Sequence, residues 1–352
     1  MIGTQQEFES FLASLEASPW VAVDTEADSL HAYPEKVCLI QISTPSGDRL
    51  VDPLANFDLG PLFARLSRHE LIMHGADYDL RLLRKHHNFV PHAIFDTMVA
   101  ARLLGITQFS LSSLVQAMLQ VKLEKGPQKA NWAIRPLTER MEIYARNDTR
   151  YLRPLADRLA HELRAKDRLE WHRESCERLI ADCSRDSIPD HDQVWRIKGS
   201  RRLSRPALAV LRELWHWREA EATRANKPPY FILSHEALVR MAELASESKP
   251  IVGLLPRVMS DRRKTAAMKA IERGMKVPPE QHPRIPRTCS RKTSEAERAR
   301  YHQLQDIRDR QAATLGIDPT LIANKTLLSD LAFDWEKNAP QLMNWQRHLL
   351  ET

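Results

Sequence analysis

The chain has 352 residues, 43% of them hydrophobic and 28% charged, with ten glycines and 21 prolines. That composition suits a globular chain of two or three domains at roughly 100–200 residues each, and excludes low-complexity and collagen-like chains. The net charge of +6 is unevenly spread: Arg257 to Arg300 carries 13 Lys/Arg against five Asp/Glu, an excess that favours a polyanionic partner, a solvated linker being the plain alternative.

The N-terminus, polar and acidic, does not read as a signal peptide, and no apolar run approaches the ~18–20 residues that would cross a bilayer. Cys38, Cys176, Cys183 and Cys289 are scattered without a C-x-x-C pair, so neither a disulfide framework nor a zinc site is expected, and a reducing cytoplasm fits. Trp20–Asp24 reads as a buried strand, with further strands over 36–43, 48–52 and 71–74, the last leading into a helix. This part is expected to be an α/β domain, a mixed sheet flanked by helices, within residues 1–175.

From about Asp157 strand signals vanish. Residues 176–203 read as a linker. Ser204-Arg-Pro206 opens a helix with Leu208, Leu211, Trp215 and Ala222 on one face, within a helical domain over 204–275. A proline-rich basic linker over 276–293 follows, and the capping box Ser294–Glu297 opens a second, truncated module over 294–352. A shift of 90 residues puts Leu214 on Leu304, Pro229 on Pro319, Ile232 on Ile322 and Leu238 on Leu328, so the two modules are expected to be repeats.

Three places in the first domain set acids where a fold alone would not. Asp24 and Glu26, two apart on a strand, share a face. Near Asp77 a helix begins, and Asp79, Leu82, Leu83 and His86 continue one apolar stripe, whereas Asp77 suits the positive helix N-terminus. In the helix opened by Thr138, Asp148 interrupts the stripe Met141, Tyr144, Ala145, Leu152, Leu155, Leu159, with Tyr144 one turn before it. An unpaired buried carboxylate is costly; pairing Asp148 with Arg102 or Arg146 is the structural alternative. Asp52 and Asp96 are read as turn and helix caps, and His74 as a turn or core histidine. Most of the eight tryptophans, including Trp215, Trp217 and Trp335, are assigned to packing.

Four carboxylates in one cleft need divalent cations to neutralise them, and all-oxygen ligands suit two Mg²⁺ or Mn²⁺ ions. Two such ions ~3.5–4 Å apart hold the attacking and leaving oxygens of a phosphodiester in line. The Tyr144 hydroxyl is placed to hold the water.

Asp24-x-Glu26, His74-x-x-x-x-Asp79 and Tyr144-x-x-x-Asp148, in this order, resemble the three exonuclease motifs of the DEDD superfamily, the tyrosine marking its DEDDy branch. With Leu50-Val-Asp-Pro-Leu54, Phe95-Asp-Thr-Met98 and Arg135-Pro-Leu-Thr-Glu-Arg140, residues 15–170 resemble the ribonuclease D family, and the helical modules resemble HRDC domains. The resemblance implies a ribonuclease H-like fold and 3′→5′ hydrolysis of RNA to nucleoside 5′-monophosphates, with tRNA precursors and other stable RNAs as substrates. It implies that Asp24, Glu26 and Asp148 ligate one ion, that Asp24 bridges to a second supported by Asp79, and that Tyr144 orients the nucleophilic water. Thr25, Ala27, Lys125 and Gln128 are the implied substrate contacts. Ala27 stands where relatives often carry a bulkier residue, so a wedge against the last base is missing or comes from elsewhere, such as Leu30. A DNA-directed exonuclease and a non-catalytic RNA-binding protein are the alternatives.

Overall fold

The computed structural model describes residues 1–185, 190, 193–285 and 293–351. It divides into two compact units, one of residues 1–27, 37–185 and 291–352, the other of residues 28–36 and 186–290.

The first unit is built on five strands, β1 (Val21–Ala27), β2 (Val37–Thr44), β3 (Gly47–Val51), β4 (Glu70–Met73) and β5 (Ala93–Asp96), in the order β3-β2-β1-β4-β5. The β3-β2-β1 side is antiparallel, and β1-β4-β5 is parallel, so the sheet is mixed as expected. The fifth strand was not anticipated: it runs directly into α4, and its last residue, Asp96, was read as that helix's cap. Strand β1 also runs past Asp24 to Ala27, which puts both Asp24 and Glu26 inside paired backbone.

Eight helices of the sequence up to residue 185 surround the sheet: α1 (Gln5–Glu16), α2 (Gly60–Leu66), α3 (Asp77–His87), α4 (Thr97–Leu103), α5 (Leu111–Leu119), α6 (Glu139–Arg150), α7 (Leu152–Ala165) and α8 (Leu169–Ser184). Alternation along the central strands sorts the two faces. Val21, Val23, Ile40 and Ile42 pack with Phe8, Phe11, Leu82, Leu83, Cys176 and Cys183, beneath α1, α3 and α8. Ala22 packs with Leu152 and Ala156 of α7, and Leu39 and Leu50 pack with Met141 and Ala145 of α6. Asp24 and Glu26, in step with Ala22, therefore belong to the α6–α7 face.

Two boundaries differ from expectation. Residues 176–184 are not linker: they complete α8, because Cys176 and Cys183 extend its apolar face into the core. The helix expected to run unbroken from Thr138 through Leu159 is interrupted at Tyr151. Pro154 has no N–H for the Arg150 carbonyl four residues back, and its ring crowds that carbonyl, so α6 ends and α7 starts afresh.

The C-terminal residues of this unit form α13 (Glu295–Leu315), α14 (Pro319–Ile322), α15 (Lys325–Phe333), α16 (Trp335–Asn338) and α17 (Asn344–Glu351), while the second unit contains α9 (Arg205–Ala225), α10 (Pro229–Ile232), α11 (His235–Ser246) and α12 (Asp261–Met275). The repeat is visible in the helix starts: Arg205 and Glu295, Pro229 and Pro319, His235 and Lys325 are each 90 residues apart.

Module 294–352 packs onto the helices of the first 185 residues. Ile322, Leu328, Leu331, Trp345 and Leu350 share one apolar cluster with Ala100, Leu103, Leu114, Leu155 and Leu159 of the exonuclease helices. Arg168, 6% exposed, donates to the Leu103 and Leu315 carbonyls, both at 2.7 Å. A Cβ on Gly105 would lie 2.0 Å from the Gly316 carbonyl oxygen, so only glycine permits that approach.

In the second unit, α9, α11 and α12 enclose Leu211, Leu214, Leu238, Met241 and Ile271, with Trp195 and Trp217 buried among them. Residues 28–36 belong here: Tyr33 donates its hydroxyl to Glu219 and its amide to Asn226, and Lys36 pairs with buried Asp28. The described part of the basic linker is folded onto α9, since Arg205 donates to the Pro279 and His282 carbonyls. Pro286, Arg287, Cys289 and the rest of that linker lie outside the described residues. The described cysteines are free and buried, Trp215 and Trp335 are partly buried against apolar clusters, and no described helix is long and apolar enough to cross a membrane.

Candidate active site

Each acid of the three motifs is delivered by a different element of the first unit. Asp24 and Glu26 come from β1, opposite Gln41 and Leu39 of β2. Asp79 comes from the first turn of α3, and Tyr144 and Asp148 from α6, which Thr138 caps by accepting from the Met141 amide.

The start of α3 has no side-chain cap of its own. Asp96 supplies the missing acceptor, taking hydrogen bonds from the Gly75 and Ala76 amides at 3.1 and 2.8 Å while capping α4 through Met98 and Val99. It thereby fixes where Asp79 points. Asp77 stands in the first helical turn but bonds Arg81 at 3.0 Å, so it is an ion-paired surface acid and makes no cap bond. Asp52 accepts from the Leu54 amide and both Nε and Nη2 of Arg135, which anchors the loop before α6. His74 Nδ1 bonds the Thr97 hydroxyl at 2.9 Å.

The carboxylates meet. Burial raises the Asp24 carboxyl well above its ordinary range, and the charges of Asp79, Asp148 and Glu26 raise it further. Glu26 is pushed up to about 9 by burial, then by Asp148 and Asp79. Asp148 rises to about 7, chiefly by burial, against the pull of a hydrogen bond from Tyr144. Asp79 rises to about 6 by burial, opposed by hydrogen bonds that include the Thr25 hydroxyl. Asp24 and Glu26 share the α6–α7 face of β1, and the Thr25 hydroxyl between them donates to Asp79 of α3, so the acids lie near one another, not on separate surfaces.

The structural alternative for Asp148 does not hold. Arg146 is engaged by Glu142 and the Asp48 carbonyl, Arg102 lies 5.8 Å from the Phe109 ring centre, and Asp148 Oδ2 is buried with no partner.

This donor set fits hard divalent cations: four carboxylates, one with an orphaned oxygen, and no nitrogen or sulfur donor among them. The oxygens are not already closed into a cage, since among the described residues no three His, Cys, Asp or Glu stand in ion-holding geometry. Asp79 accepts from the Thr25 hydroxyl, and Asp148 faces Tyr144.

Tyr144 is braced on several sides. Its hydroxyl faces Asp148 and the Gln128 side chain, and its ring centre lies 6.0 Å from that of buried Trp132. Burial and the neighbouring carboxylates push the phenol pKa up, so it remains a protonated donor. Gly126 lies so close that a Cβ there would fall 1.6 Å from Tyr144 Cδ2.

The implied substrate contacts divide. Lys125 is exposed beside a cavity of ≈ 350 Å³ lined also by Arg140, Ile143, Tyr144 and Asn147. Gln128 touches Tyr144. Thr25 is 7% exposed with its hydroxyl committed to Asp79, a different use from substrate contact. Ala27 packs partly against the α1–α3 core, and Leu30 is 44% exposed. Asp96 caps α4 as expected. Gly126 and Gln41 were not singled out from sequence; a polar Gln41 inside the apolar run Val37–Ile42 was the available signal.

Comparisons with known proteins identify the family. A family model described as 3′-5′ exonuclease matches residues 1–164, and one described as HRDC domain matches residues 207–250. A ribonuclease D of Jannaschia sp. is 29% identical over 344 residues, covering 94% of this chain and 88% of the relative. A ribonuclease D of Sphingobium indicum is 31% identical over 276 residues, covering 77% and 68%. The crystal structure of Escherichia coli RNase D, described as an exoribonuclease involved in structured RNA processing, has the same fold: TM-score 0.75 at 23% identity, with 99% of this chain and 97% of that one covered. The chain belongs to the ribonuclease D family and is a metal-dependent 3′→5′ exoribonuclease.

Proposed function

We propose that the enzyme trims the 3′ ends of tRNA precursors and other stable RNAs, releasing nucleoside 5′-monophosphates one at a time, with two Mg²⁺ or Mn²⁺ ions at the carboxylate cleft. The observation that carries the mechanism is the nearness of Asp24, Glu26, Asp79 and Asp148: all four are buried, Asp79 accepts from the Thr25 hydroxyl between Asp24 and Glu26, and its charge raises the other three. When bound, the ions supply charge neutralisation and an activated water. Asp24, Glu26 and Asp148 would hold one ion, and Asp24 together with Asp79 would hold a second. Tyr144, held protonated, donates to and aligns the water, and Gln128 keeps the phenol in place. Lys125 and Arg140 line the neighbouring cavity together with Glu124 and Glu139, and are its candidate contacts to the phosphates of the incoming strand.

Free, buried cysteines suit a cytoplasmic site. The test pairs a 3′-extended tRNA with a DNA oligonucleotide of matched length, with Mg²⁺ and with EDTA. Stepwise shortening of the RNA alone, abolished by EDTA, is expected. Equal rates on DNA would replace the substrate assignment with a DNA-directed exonuclease, since carboxylates and ions do not read the 2′-hydroxyl.

A further inference from the structure

Gln41 is fully buried in the middle of β2, and neither its amide nitrogen nor its amide oxygen has a hydrogen-bond partner. A buried primary amide carries two donors and an acceptor, and folded proteins rarely leave all of them unmet without a use. Its surroundings narrow that use. In the antiparallel pair β1–β2, Gln41 stands directly opposite Asp24, so both side chains rise from the same face with Cβ atoms ~4.5–5.5 Å apart. Its partner on β3 is Leu50, which offers nothing polar. The same-face neighbours on its own strand are Leu39 and Ser43, and the Ser43 hydroxyl bonds Asp48 at 2.7 Å and Thr149 at 2.8 Å.

Helix α6 covers this face. Ala145 packs with Leu39 and Leu50, Thr149 reaches Ser43, and Asp148 sits between them in sequence with its own Oδ2 buried and unpartnered. An unmet buried donor and an unmet buried acceptor thus flank the same carboxylate, Asp24.

The geometry points to Gln41 as a positioning residue: its amide hydrogen-bonds the Asp24–Asp148 pair when cations draw those carboxylates together, and so sets the affinity of the ion site. This rests on the reading of the cleft as a metal centre. Gln41 would touch neither ion nor RNA. It fixes the orientation of the ligands that do, the role outer partners commonly play at metal sites.

The experiment uses the full chain. Mn²⁺ binding to wild type, Gln41→Met and Gln41→Asn is measured by calorimetry, alongside melting temperature and RNA affinity in EDTA. Met keeps the length and removes both polar atoms; Asn keeps the amide and withdraws it. Weakening of Mn²⁺ binding by ~10–100-fold is expected, the range for loss of an outer partner, with melting temperature in EDTA unchanged or raised and RNA affinity in EDTA unchanged. Mn²⁺ affinity within twofold of wild type in either folded variant would overturn the inference and leave Gln41 a buried polar defect of the core. Should Gln41→Met fail to fold, Gln41→Asn decides alone. A wild-type chain that binds no Mn²⁺ would sink the metal-centre reading and this inference together, an outcome distinct from variants that bind like wild type.

Discussion

Gly126 offers a test of how tightly the phenol must be held. Its Cα approaches the Tyr144 ring so closely that a single added methyl would lie 1.6 Å from Cδ2, a severe overlap. An ordinary carbon–carbon contact needs ~3.5–4.0 Å, so ring and loop must separate by about 2 Å. No positive φ constrains this glycine, hence alanine strains the backbone little and the displacement falls on the contact itself. Since ~1 Å of misplacement can cost ~100-fold in rate, Gly126→Ala is expected to lower kcat by at least ~100-fold. The metal ligands are untouched, so Mn²⁺ affinity should stay near wild type.

Single-turnover hydrolysis of a 5′-labelled RNA oligonucleotide at saturating Mg²⁺ measures the loss. Tyr144→Ala and the double variant complete a cycle. If Gly126 acts only through the ring, the double variant should lose no more than Tyr144→Ala alone. A Gly126→Ala enzyme within threefold of wild type would show that the loop yields freely and that Tyr144 is not positioned by it.

Four further outcomes follow from the same geometry. Asp24→Asn and Asp148→Asn should each cut turnover by at least ~10²–10³-fold, as for loss of a preorganised electrostatic contact, while RNA binding in gel-shift assays is retained. Glu26 titrates near 9 in the folded chain, above its unfolded value near ~4.3, so its native form binds the extra proton. Its stabilising contribution is full below about pH 4 and is lost as pH rises toward 9; in EDTA, the melting temperature of Glu26→Gln should gain on wild type between pH 5 and 9, and a constant difference would count against the raised pKa. Thr25→Val removes the Asp79 hydrogen bond that opposes burial, so the Asp79 carboxyl should titrate higher, read as an upward shift of the acid limb in the pH–rate profile. Truncation after residue 290 should give an aggregating or molten product by near-UV circular dichroism, because Leu103, Leu114, Leu155 and Leu159 lose their cover at ~1.5–3 kcal/mol for each side chain fully exposed.

The C-terminal helices thus cover a core shared with the catalytic helices, and removing residues beyond about 200 would uncover it. The periodicity of 294–352 announces an apolar face without naming what the face meets. Asp79 and Asp148 were legible because each interrupts an apolar helical stripe, which demands a chemical reason. Asp24 and Glu26 were legible from strand alternation. Gln41 carried the same kind of signal, a polar residue in an all-buried strand, yet its meaning depends on the register that sets it opposite Asp24. Register is a long-range property that local pattern does not encode. Strand β5 was invisible because it runs directly into α4, and Asp96 was read as that helix's cap. The break at Tyr151 was readable from Pro154, but the unbroken apolar stripe across it masked the signal.

The central claim is a single cation centre formed by Asp24, Glu26, Asp79 and Asp148 beside Tyr144. A crystal structure of the full chain grown with Mn²⁺ and a nucleoside 5′-monophosphate, with anomalous scattering collected at the manganese edge, examines it directly. Two peaks ~3.5–4 Å apart among those carboxylates, with the phosphate against them, are predicted. Manganese bound only at other acids, or a cleft that stays free of metal at millimolar Mn²⁺, would contradict the account.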